Sequence, residues 1–359
     1  MLTPRHLLPH VGSLPQGQRN AITDVAGVTV GHCTLEANEV QTGVTVVRPH
    51  AGDLFLDRVP AAAAVLNGFG KSVGLMQVEE LGVLETPIAL TNTFSVPAVA
   101  TAQIQQCVAA NPETGRGLPT VNPLVFECND GFLNDIQRMA VTGQHYLQAF
   151  GQAGTEVAEG SVGAGRGMSS FGLKGGVGTA SRRVVVAGGG EHTIGALVLA
   201  NYGRLSQLVL AGHALGVQLA ARRVASTVHQ AAEPEKGSII LLIATDAPLD
   251  ARQLRRLALR AGAGLARTGS VFGHGSGDIA LAFSTAYTVP QQATRPTPAV
   301  AMLHDGLIDP LFQAVADSIE QAILHALWQA RAVTGRNGHH RNALADLLPG
   351  WPSSSSFPS

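Results

Sequence analysis

Short apolar runs, each closed by Gly, Asn or Asp, recur through the first two thirds of the chain. Runs of this kind are typical of buried β-strands. The strands predicted in this way are GVTVGH (27–32), GVTVVRP (43–49), AAAAVLNGFG (61–70), TPIALTNT (86–93), LVFECNDG (124–131), SRRVVV (181–186) and IGALVLANYG (194–203). A later run, Ile239 to Ala244, is apolar at every position, which predicts a central strand buried on both faces.

Apolar residues at helical spacing predict α-helices between and after these strands. The predicted helices are 95–110, 132–150, one that follows Asp250, and one from Pro310 to Gly335. Asn129 or Asp130 would cap the second helix, and Asp250 with Gln253 has the spacing of a capping box for the third. Because helices and strands are interspersed, an α/β or α+β layered fold is expected.

Composition argues against a nucleic-acid-binding protein and against a membrane protein. The chain has 359 residues, a formal net charge of -1 and only 14% charged residues, so no basic face points to nucleic acid or to an anionic membrane. A small neutral or zwitterionic ligand fits better. No apolar run approaches the roughly 20 residues of a membrane span, and the N-terminal region lacks the apolar core of a signal peptide.

The three cysteines, Cys33, Cys107 and Cys128, form no CxxC motif, which argues against a disulfide framework and against a zinc site. We therefore expect free thiols and a cytoplasmic location. The length allows one large domain or two smaller ones. The serine-rich tail 349–359 is expected to be disordered.

The Gly237-Ser238 pair stands where a polar segment meets the strand that starts near Ile239. A serine hydroxyl is a weak nucleophile unless a base takes its proton. If the chain were cut before Ser238, the new α-amino group, with a pKa of about 7.7 to 8.0, could be that base. Gly237 would leave its carbonyl open to attack by the hydroxyl. The alternative is that the pair only ends a loop, as Gly-Ser commonly does before a strand.

Seven segments, read together in their order along the chain, indicate a family. They are NAITDVAGVTVGHCT (20–34), LNGFGKSVGLMQVEELGVLETPIALTNT (66–93), FECNDGFLNDI (126–136), GAGRGMSSFGLKGGVGTASR (163–182), GALVLANYG (195–203), KGSIILLIATDAPL (236–249) and GSGDIALAFST (275–285). Through these segments the chain resembles the L-aminopeptidase/D-esterase family, which includes the β-peptidyl aminopeptidases, from residue 16 to about residue 348.

The resemblance implies a single domain over residues 1–348, an αββα four-layer sandwich with two central sheets between helical layers. This fold is shared with ornithine acetyltransferase. It also implies one self-cleavage, between Gly237 and Ser238, which gives chains 1–237 and 238–359. A tetramer of such processed pairs is expected, with neither a metal nor an organic cofactor.

Site residues follow from the same resemblance. Ser238 matches the nucleophile, and Ser276 and Asp278 match the residues that adjust its amino group. Asn201 matches an oxyanion-hole donor, and Glu127 matches the acid that receives the free amino group of the substrate. The expected activity is hydrolysis of small peptides, amides or esters with a free amino group, through an acyl-enzyme on Ser238.

Two departures from the family pattern affect substrate preference. Phe132 stands where relatives often have a tyrosine near the reacting carbonyl. Lys71, Leu75, Met76 and Gln77 replace the acidic, larger polar or aromatic residues of well-known members. The side-chain preference of relatives therefore cannot be transferred.

Other interpretations compete with this one. The glycine-rich segment 160–183 and NGFGKS lack the spacing of phosphate-binding loops and are interpreted as tight turns and channel walls. His192 and His274 leave a Ser-His-Asp arrangement open, and the histidines at 339 and 340 are expected to be solvated. An acyltransferase like ornithine acetyltransferase and an inactive scaffold that is not cleaved are the functional alternatives.

Overall fold

The computed structural model describes residues 8–224, 237–293, 300 and 302–348. The predicted disordered tail and the polar segment 231–236 lie outside these residues. The strands are β1 Thr29–Ala37, β2 Val40–Arg48, β3 Asp57–Gly68, β4 Val83–Leu84, β5 Ile88–Asn92, β6 Leu124–Cys128, β7 Ser169–Ser170, β8 Leu173–Lys174, β9 Gly176–Val186, β10 Gly190–Asn201, β11 Ser238–Thr245, β12 Gly277–Ser284, β13 Val289–Pro290, β14 Val333–Thr334 and β15 His340–Arg341. The helices are α1 Leu75–Leu81, α2 Val96–Ala110, α3 Gly143–Gly151, α4 Leu215–Val224, α5 Ala251–Arg267, α6 Asp309–Trp328 and α7 Leu344–Leu347.

Two sheets carry the fold. The smaller has the strand order β1-β2-β5-β6, and the larger has the order β13-β3-β12-β11-β10-β9, with β4 also paired to β3. Neighbouring strands are antiparallel except for β5 with β6 and β11 with β12, which are parallel. Each strand predicted from the sequence lies in one of these two sheets.

Three apolar clusters define the order of the layers. One joins the larger sheet to α5 and α6, a second lies between the two sheets, and a third joins the smaller sheet to α2 and α3. The layers therefore run helix, sheet, sheet, helix. This arrangement confirms the predicted αββα sandwich.

Strand β11 is the centre of the larger sheet, since β10 and β12 flank it. All eight of its residues are buried. Ile239, Leu241 and Ile243 face the helices α5 and α6, whereas the alternate residues Ile240 and Leu242 face the smaller sheet. Burial on both faces explains the continuous apolar run and confirms that prediction.

The predicted cap of α5 is also confirmed, because the Asp250 side chain accepts a hydrogen bond from the Gln253 N–H at 2.7 Å. The single helix predicted over 132–150 is wrong. A 3-10 turn, Ile136–Arg138, ends at Met139 with a left-handed φ of 46°, and α3 begins only at Gly143. Neither Asn129 nor Asp130 caps a helix, since the carboxylate of Asp130 is buried and accepts from the Asn134 amide at 3.0 Å.

Helix α6 has Pro310 in its first turn, as predicted, but it ends at Trp328 and not near Gly335. The chain after it turns back, and β14 and β15 pair as a small hairpin. Within the described ranges, no helix is both long enough and apolar enough to cross a membrane.

Candidate active site

Three strand ends meet at Ser238. It is the first residue of β11, and its register partners are Asn201, the last residue of β10, and Gly277, the first residue of β12. The parallel strands β11 and β12 start at the same edge of the sheet at which the antiparallel β10 ends. Two predicted site residues, Ser238 and Asn201, are thereby brought together, and Ser238 is only 6% exposed.

The main-chain N–H of Gly277 points at the Gly237-Ser238 junction. It lies 3.2 Å from the Ser238 Oγ and 3.2 Å from the carbonyl oxygen of Gly237. The Ser238 hydroxyl itself donates to that same carbonyl oxygen at 2.8 Å. The hydroxyl, the peptide carbonyl and an N–H donor are therefore assembled at one point.

Ser276 and Asp278 flank Gly277 and are held together. The Ser276 hydroxyl donates to Asp278 Oδ1 at 2.6 Å, and both side chains are buried. The Ser276 carbonyl is fixed in turn by the Asn67 side-chain amide and by the Phe69 N–H, the latter at 3.3 Å. The end of β3 and the residue that follows it thus set the position of the turn before β12.

Asn201 has an amide of fixed orientation. Its Oδ1 accepts from the Ser169 N–H at 2.8 Å, and its Nδ2 donates to the Asn129 carbonyl at 3.1 Å. Because a side-chain amide has two N–H bonds, one donor of Asn201 is used in this way and the other can serve a ligand. An oriented donor of this kind is what an oxyanion hole requires.

Glu127 lies near the end of β6 and is 3% exposed. One carboxylate oxygen accepts from the Lys71 N–H at 2.8 Å, and the other accepts from the Thr93 hydroxyl. Lys71 follows β3, so these contacts join the edge of the smaller sheet to the chain segment that fixes Ser276. The carboxylate and the Ser238 region therefore share one structural support.

Acidic groups surround the buried thiol of Cys128. Burial raises its pKa well above the usual value, and the negative charges of Glu127, Asp278 and Asp130 raise it further. Burial also raises the pKa of Asp130 to about 7. The thiol of Cys128 is therefore held in its protonated form by its surroundings.

Phe132 is packed on both sides. Its ring stacks on His339, with 4.6 Å between ring centroids, and the Arg341 guanidinium carbon lies 3.5 Å from the ring centroid. His339, which was expected to be solvated, is partly exposed and partly covered, because the turn before β15 folds back onto the segment after β6. Of the other departures, Lys71 rests its ammonium on the Phe69 ring at 4.1 Å, and Met76 is 86% exposed.

The family model for peptidase family S58 matches residues 20–341. The chain belongs to this family. Over 338 residues this S58 chain is 38% identical to a β-peptidyl aminopeptidase, BapA, from Sphingosinicella xenopeptidilytica. The matched region covers 89% of this chain and 83% of that relative.

Solved structures agree with this family membership. A Burkholderia sp. β-aminopeptidase matches with a TM-score of 0.86 and 41% identity over 96% of each chain. The L-aminopeptidase D-Ala-esterase/amidase from Ochrobactrum anthropi, described as a prototype for the serine aminopeptidases, matches with a TM-score of 0.85 and 35% identity over 94% of this chain and 93% of that one. The S58 chain is accordingly an aminopeptidase, a hydrolase, with a variant of the Ntn hydrolase fold.

The positions of His192 and His274 bear on whether either could be the base of a Ser-His-Asp arrangement with Ser238. His192 lies on β10 nine residues before Asn201, a separation of about 30 Å along a strand. Its ring bonds the Gly189 carbonyl at 3.0 Å. His192 is therefore excluded as a base for Ser238, whereas His274 lies near the site with its ring 6.4 Å from that of Phe69.

Several groups that shape this S58 site were missed by sequence reasoning. They are the Gly277 N–H and the side chains of Asn67 and Thr93, with the Ser169 N–H as a fourth. Two of the four are main-chain donors, and a main-chain donor leaves no trace in residue type. For Gly277 the residue type was a partial signal, since a glycine can mark a close backbone approach. The structure shows that approach, because a Cβ there would lie only 2.7 Å from the Phe69 carbonyl oxygen.

Proposed function

We propose that this S58 aminopeptidase is a self-processing serine hydrolase that cuts its own chain between Gly237 and Ser238. The observation that supports this most directly is the position of the Gly277 N–H, 3.2 Å from both the Ser238 Oγ and the Gly237 oxygen. A donor at that place stabilises the negative charge that develops on the carbonyl oxygen during attack.

In the cut, Ser238 Oγ attacks the Gly237 carbonyl carbon and its proton passes to the departing Ser238 nitrogen. The peptide C–N bond breaks, and an ester joins Gly237 to the Ser238 oxygen. Water then hydrolyses the ester, which leaves a Gly237 carboxylate and restores the hydroxyl. The products are chains 1–237 and 238–359.

The processed enzyme then has nucleophile and base on one residue. The free Ser238 amino group, adjusted by Ser276 and Asp278, takes the hydroxyl proton. The hydroxyl attacks a substrate amide or ester, and Asn201 with a main-chain N–H stabilises the oxyanion. Water resolves the acyl-enzyme. The proposal assigns no step to a metal or an organic cofactor.

Glu127 is the proposed anchor for the free amino group of the substrate. Its buried carboxylate pairs with an ammonium only when the substrate begins at that residue, which limits the enzyme to the amino end of a small peptide, amide or ester. β-Peptides belong among the candidate substrates because the relatives named above are β-peptidyl aminopeptidases. Phe132, with its packed ring, is proposed as part of the substrate-binding wall.

We also propose that processed pairs assemble into a tetramer, and that the enzyme works in the cytoplasm without a nucleic-acid or membrane partner. The three cysteines are free and buried, which fits a reducing compartment. Molecular mass in solution, measured by light scattering on processed protein, tests the assembly.

Intact mass under denaturing conditions tests the processing. Freshly purified protein is expected to give two fragments, 1–237 and 238–359, and to release amino-terminal residues from free-amine substrates. Ser238→Ala should give one uncut chain without turnover, while Ser206→Ala, at an exposed serine, should behave as the parent. Normal turnover by Ser238→Ala would refute the proposal.

Measurements on the same purified protein distinguish the two alternatives, an acyltransferase and an inactive scaffold. An acyltransferase would pass the acyl group to an added amine in preference to water, so the product ratio identifies it. A single stable chain without turnover would identify an inactive scaffold.

A further inference from the structure

Lys174 is a fully buried cation, away from solvent and outside the mechanism described above. Its ammonium lies 2.8 Å from each of three carbonyl oxygens, those of Gly165, Met168 and Gly175. A carbonyl oxygen can only accept a hydrogen bond, so three such bonds need three N–H donors. Only the protonated amine supplies three.

Burying this charge is costly. Burial lowers the pKa of Lys174 well below its usual value, the nearby Arg166 lowers it further, and the buried Asp130 acts in the opposite direction. A lysine under these conditions would lose its proton unless the three carbonyls and the nearby acid favoured the charged form. The three hydrogen bonds therefore fix the backbone of residues 165–175 in spite of the unfavourable desolvation of the ammonium.

That backbone shape carries a donor to Asn201. The carbonyls bound by Lys174 belong to the segment 165–175, in which Ser169 follows Met168 directly. The Ser169 N–H donates to Asn201 Oδ1, while β7 and β8 pair Ser169 with Lys174 itself. One buried ammonium thus fixes both the residue before Ser169 and the strand across from it.

Asp130 supports the opposite side of the same amide. Its neighbour Asn129 supplies the carbonyl that accepts from Asn201 Nδ2 at 3.1 Å. Asp130 is itself held by the Asn134 amide at 3.0 Å. The two buried side chains, Lys174 and Asp130, therefore lie behind the two groups that determine how the Asn201 amide is turned.

We infer that Lys174 is a positioning residue for hydrolysis, which orients the Asn201 side-chain amide through the Ser169 N–H. The inference rests on the proposed function, because it assumes that Asn201 stabilises the oxyanion of the substrate. Self-cleavage uses the Gly277 N–H instead, so Lys174 matters for turnover and not for processing.

The test is a double-mutant cycle on processed enzyme with a free-amine p-nitroanilide substrate. Lys174→Met keeps the unbranched side chain up to the ammonium and removes the donors. It should lower kcat by about tenfold or more with KM within about twofold; losing an oxyanion donor outright costs about 10²- to 10³-fold. Asn201→Ala should lose at least as much. The double variant should be no slower than Asn201→Ala, because the two changes remove one interaction.

Arg182→Met is the matched control for general destabilisation. Arg182 is also a fully buried cation, and its guanidinium donates to the Val11 carbonyl at 2.7 Å, in a different part of the fold. Its effect on kcat, if any, should add to that of Asn201→Ala. The rate of appearance of chains 1–237 and 238–359 should be the same for Lys174→Met and the parent within about twofold.

If Lys174→Met does not fold, Ser169→Pro tests the same step, since it deletes the N–H that orients Asn201. Ser169→Ala is its control for the lost hydroxyl. Ser169→Pro should then show the kcat loss. The inference about Lys174 is overturned if the losses of kcat in Lys174→Met and Asn201→Ala are additive, or if Lys174→Met slows processing as much as turnover. These outcomes leave the proposed function intact as long as Ser238→Ala is inactive. Normal turnover by Ser238→Ala overturns the proposed function instead.

Discussion

The N–H of Gly277 lies 3.2 Å from Ser238 Oγ, and the two residues are register partners where the parallel strands β11 and β12 begin. The bond of this N–H to the Gly237 carbonyl oxygen is the regular ladder bond of a parallel strand pair, in which an N–H pairs with the carbonyl of the residue before its register partner. Here it is directed at the Gly237-Ser238 junction, so the geometry of the sheet supplies a donor at the proposed cleavage site.

Gly277→Ala should therefore impair self-cleavage. An added Cβ would lie 2.7 Å from the Phe69 carbonyl oxygen and 3.2 Å from Ser238 Oγ, so the strand start must shift and the N–H with it. A loss of one oxyanion donor corresponds to about 10²- to 10³-fold in rate. Intact mass followed over time after purification measures the effect.

Gly151→Ala is the control, because a Cβ there meets nothing within 4 Å. Its processing rate should equal that of the parent. Rapid, complete processing of Gly277→Ala would contradict the prediction that the position of this N–H controls the rate of the cut.

The larger features of this fold could be predicted from residue pattern because they depend on burial. The unbroken apolar run 239–244 requires burial on both faces, and only a central strand provides it. The capping box at Asp250 is likewise local, since both partners lie within one helical turn. Asn201 and Glu127 could be named only through the resemblance of whole segments, whereas the Gly237-Ser238 pair was a candidate from its position before the strand, with a loop end as the alternative.

What could not be predicted depends on contacts between distant parts of the chain. The apolar spacing over 132–150 favours a helix, but the contact of Asp130 with Asn134 and a left-handed Met139 interrupt it. The packing of His339 on Phe132 joins segments about two hundred residues apart. Nothing in either segment alone indicates that contact.

Glu127→Gln should selectively weaken substrates with a free amino group. A hydrogen bond to a charged group contributes about 1.5 to 3 kcal/mol, so kcat/KM should fall by roughly 10- to 100-fold. Self-cleavage and turnover of N-acetylated analogues should change little. Steady-state kinetics on matched free and acetylated substrates measures this.

Thr93→Val provides a graded comparison. It keeps the carboxylate but removes the hydroxyl that donates to Glu127, so a smaller loss of about 1 kcal/mol is expected for free-amine substrates. An equal loss on free and acetylated substrates in both variants would contradict the role of Glu127 as the amino anchor.

Phe132→Leu should reduce stability through its two ring contacts. The stack on His339 and the contact with Arg341 are each expected to contribute about 0.5 to 1.5 kcal/mol, so a total loss of about 1 to 3 kcal/mol is expected in urea unfolding. Phe94→Leu is the control, since Phe94 is 48% exposed and has no ring or cation contact within the described ranges. Equal losses in the two variants would mean that the His339 and Arg341 contacts contribute nothing.

His32 makes a prediction about pH. Burial lowers the pKa of His32 to about 4, from about 6.5 in the unfolded chain, and its Nδ1 lies 2.9 Å from the Thr45 hydroxyl. Between these two values the unfolded chain binds a proton that the folded chain does not. The free energy of unfolding should therefore fall as pH falls from about 6.5 to about 4, by up to roughly 3 kcal/mol from this residue.

His32→Asn isolates that contribution, because an amide can keep the bond to Thr45 but does not titrate. Urea unfolding at several pH values should give a difference between parent and variant that grows steadily in favour of the variant as pH drops through this window. Other titrating groups cancel in the difference, since both proteins share them. Parallel stability curves across the window would mean that the folded protein protonates His32 as readily as the unfolded chain does, which would contradict a buried, neutral ring.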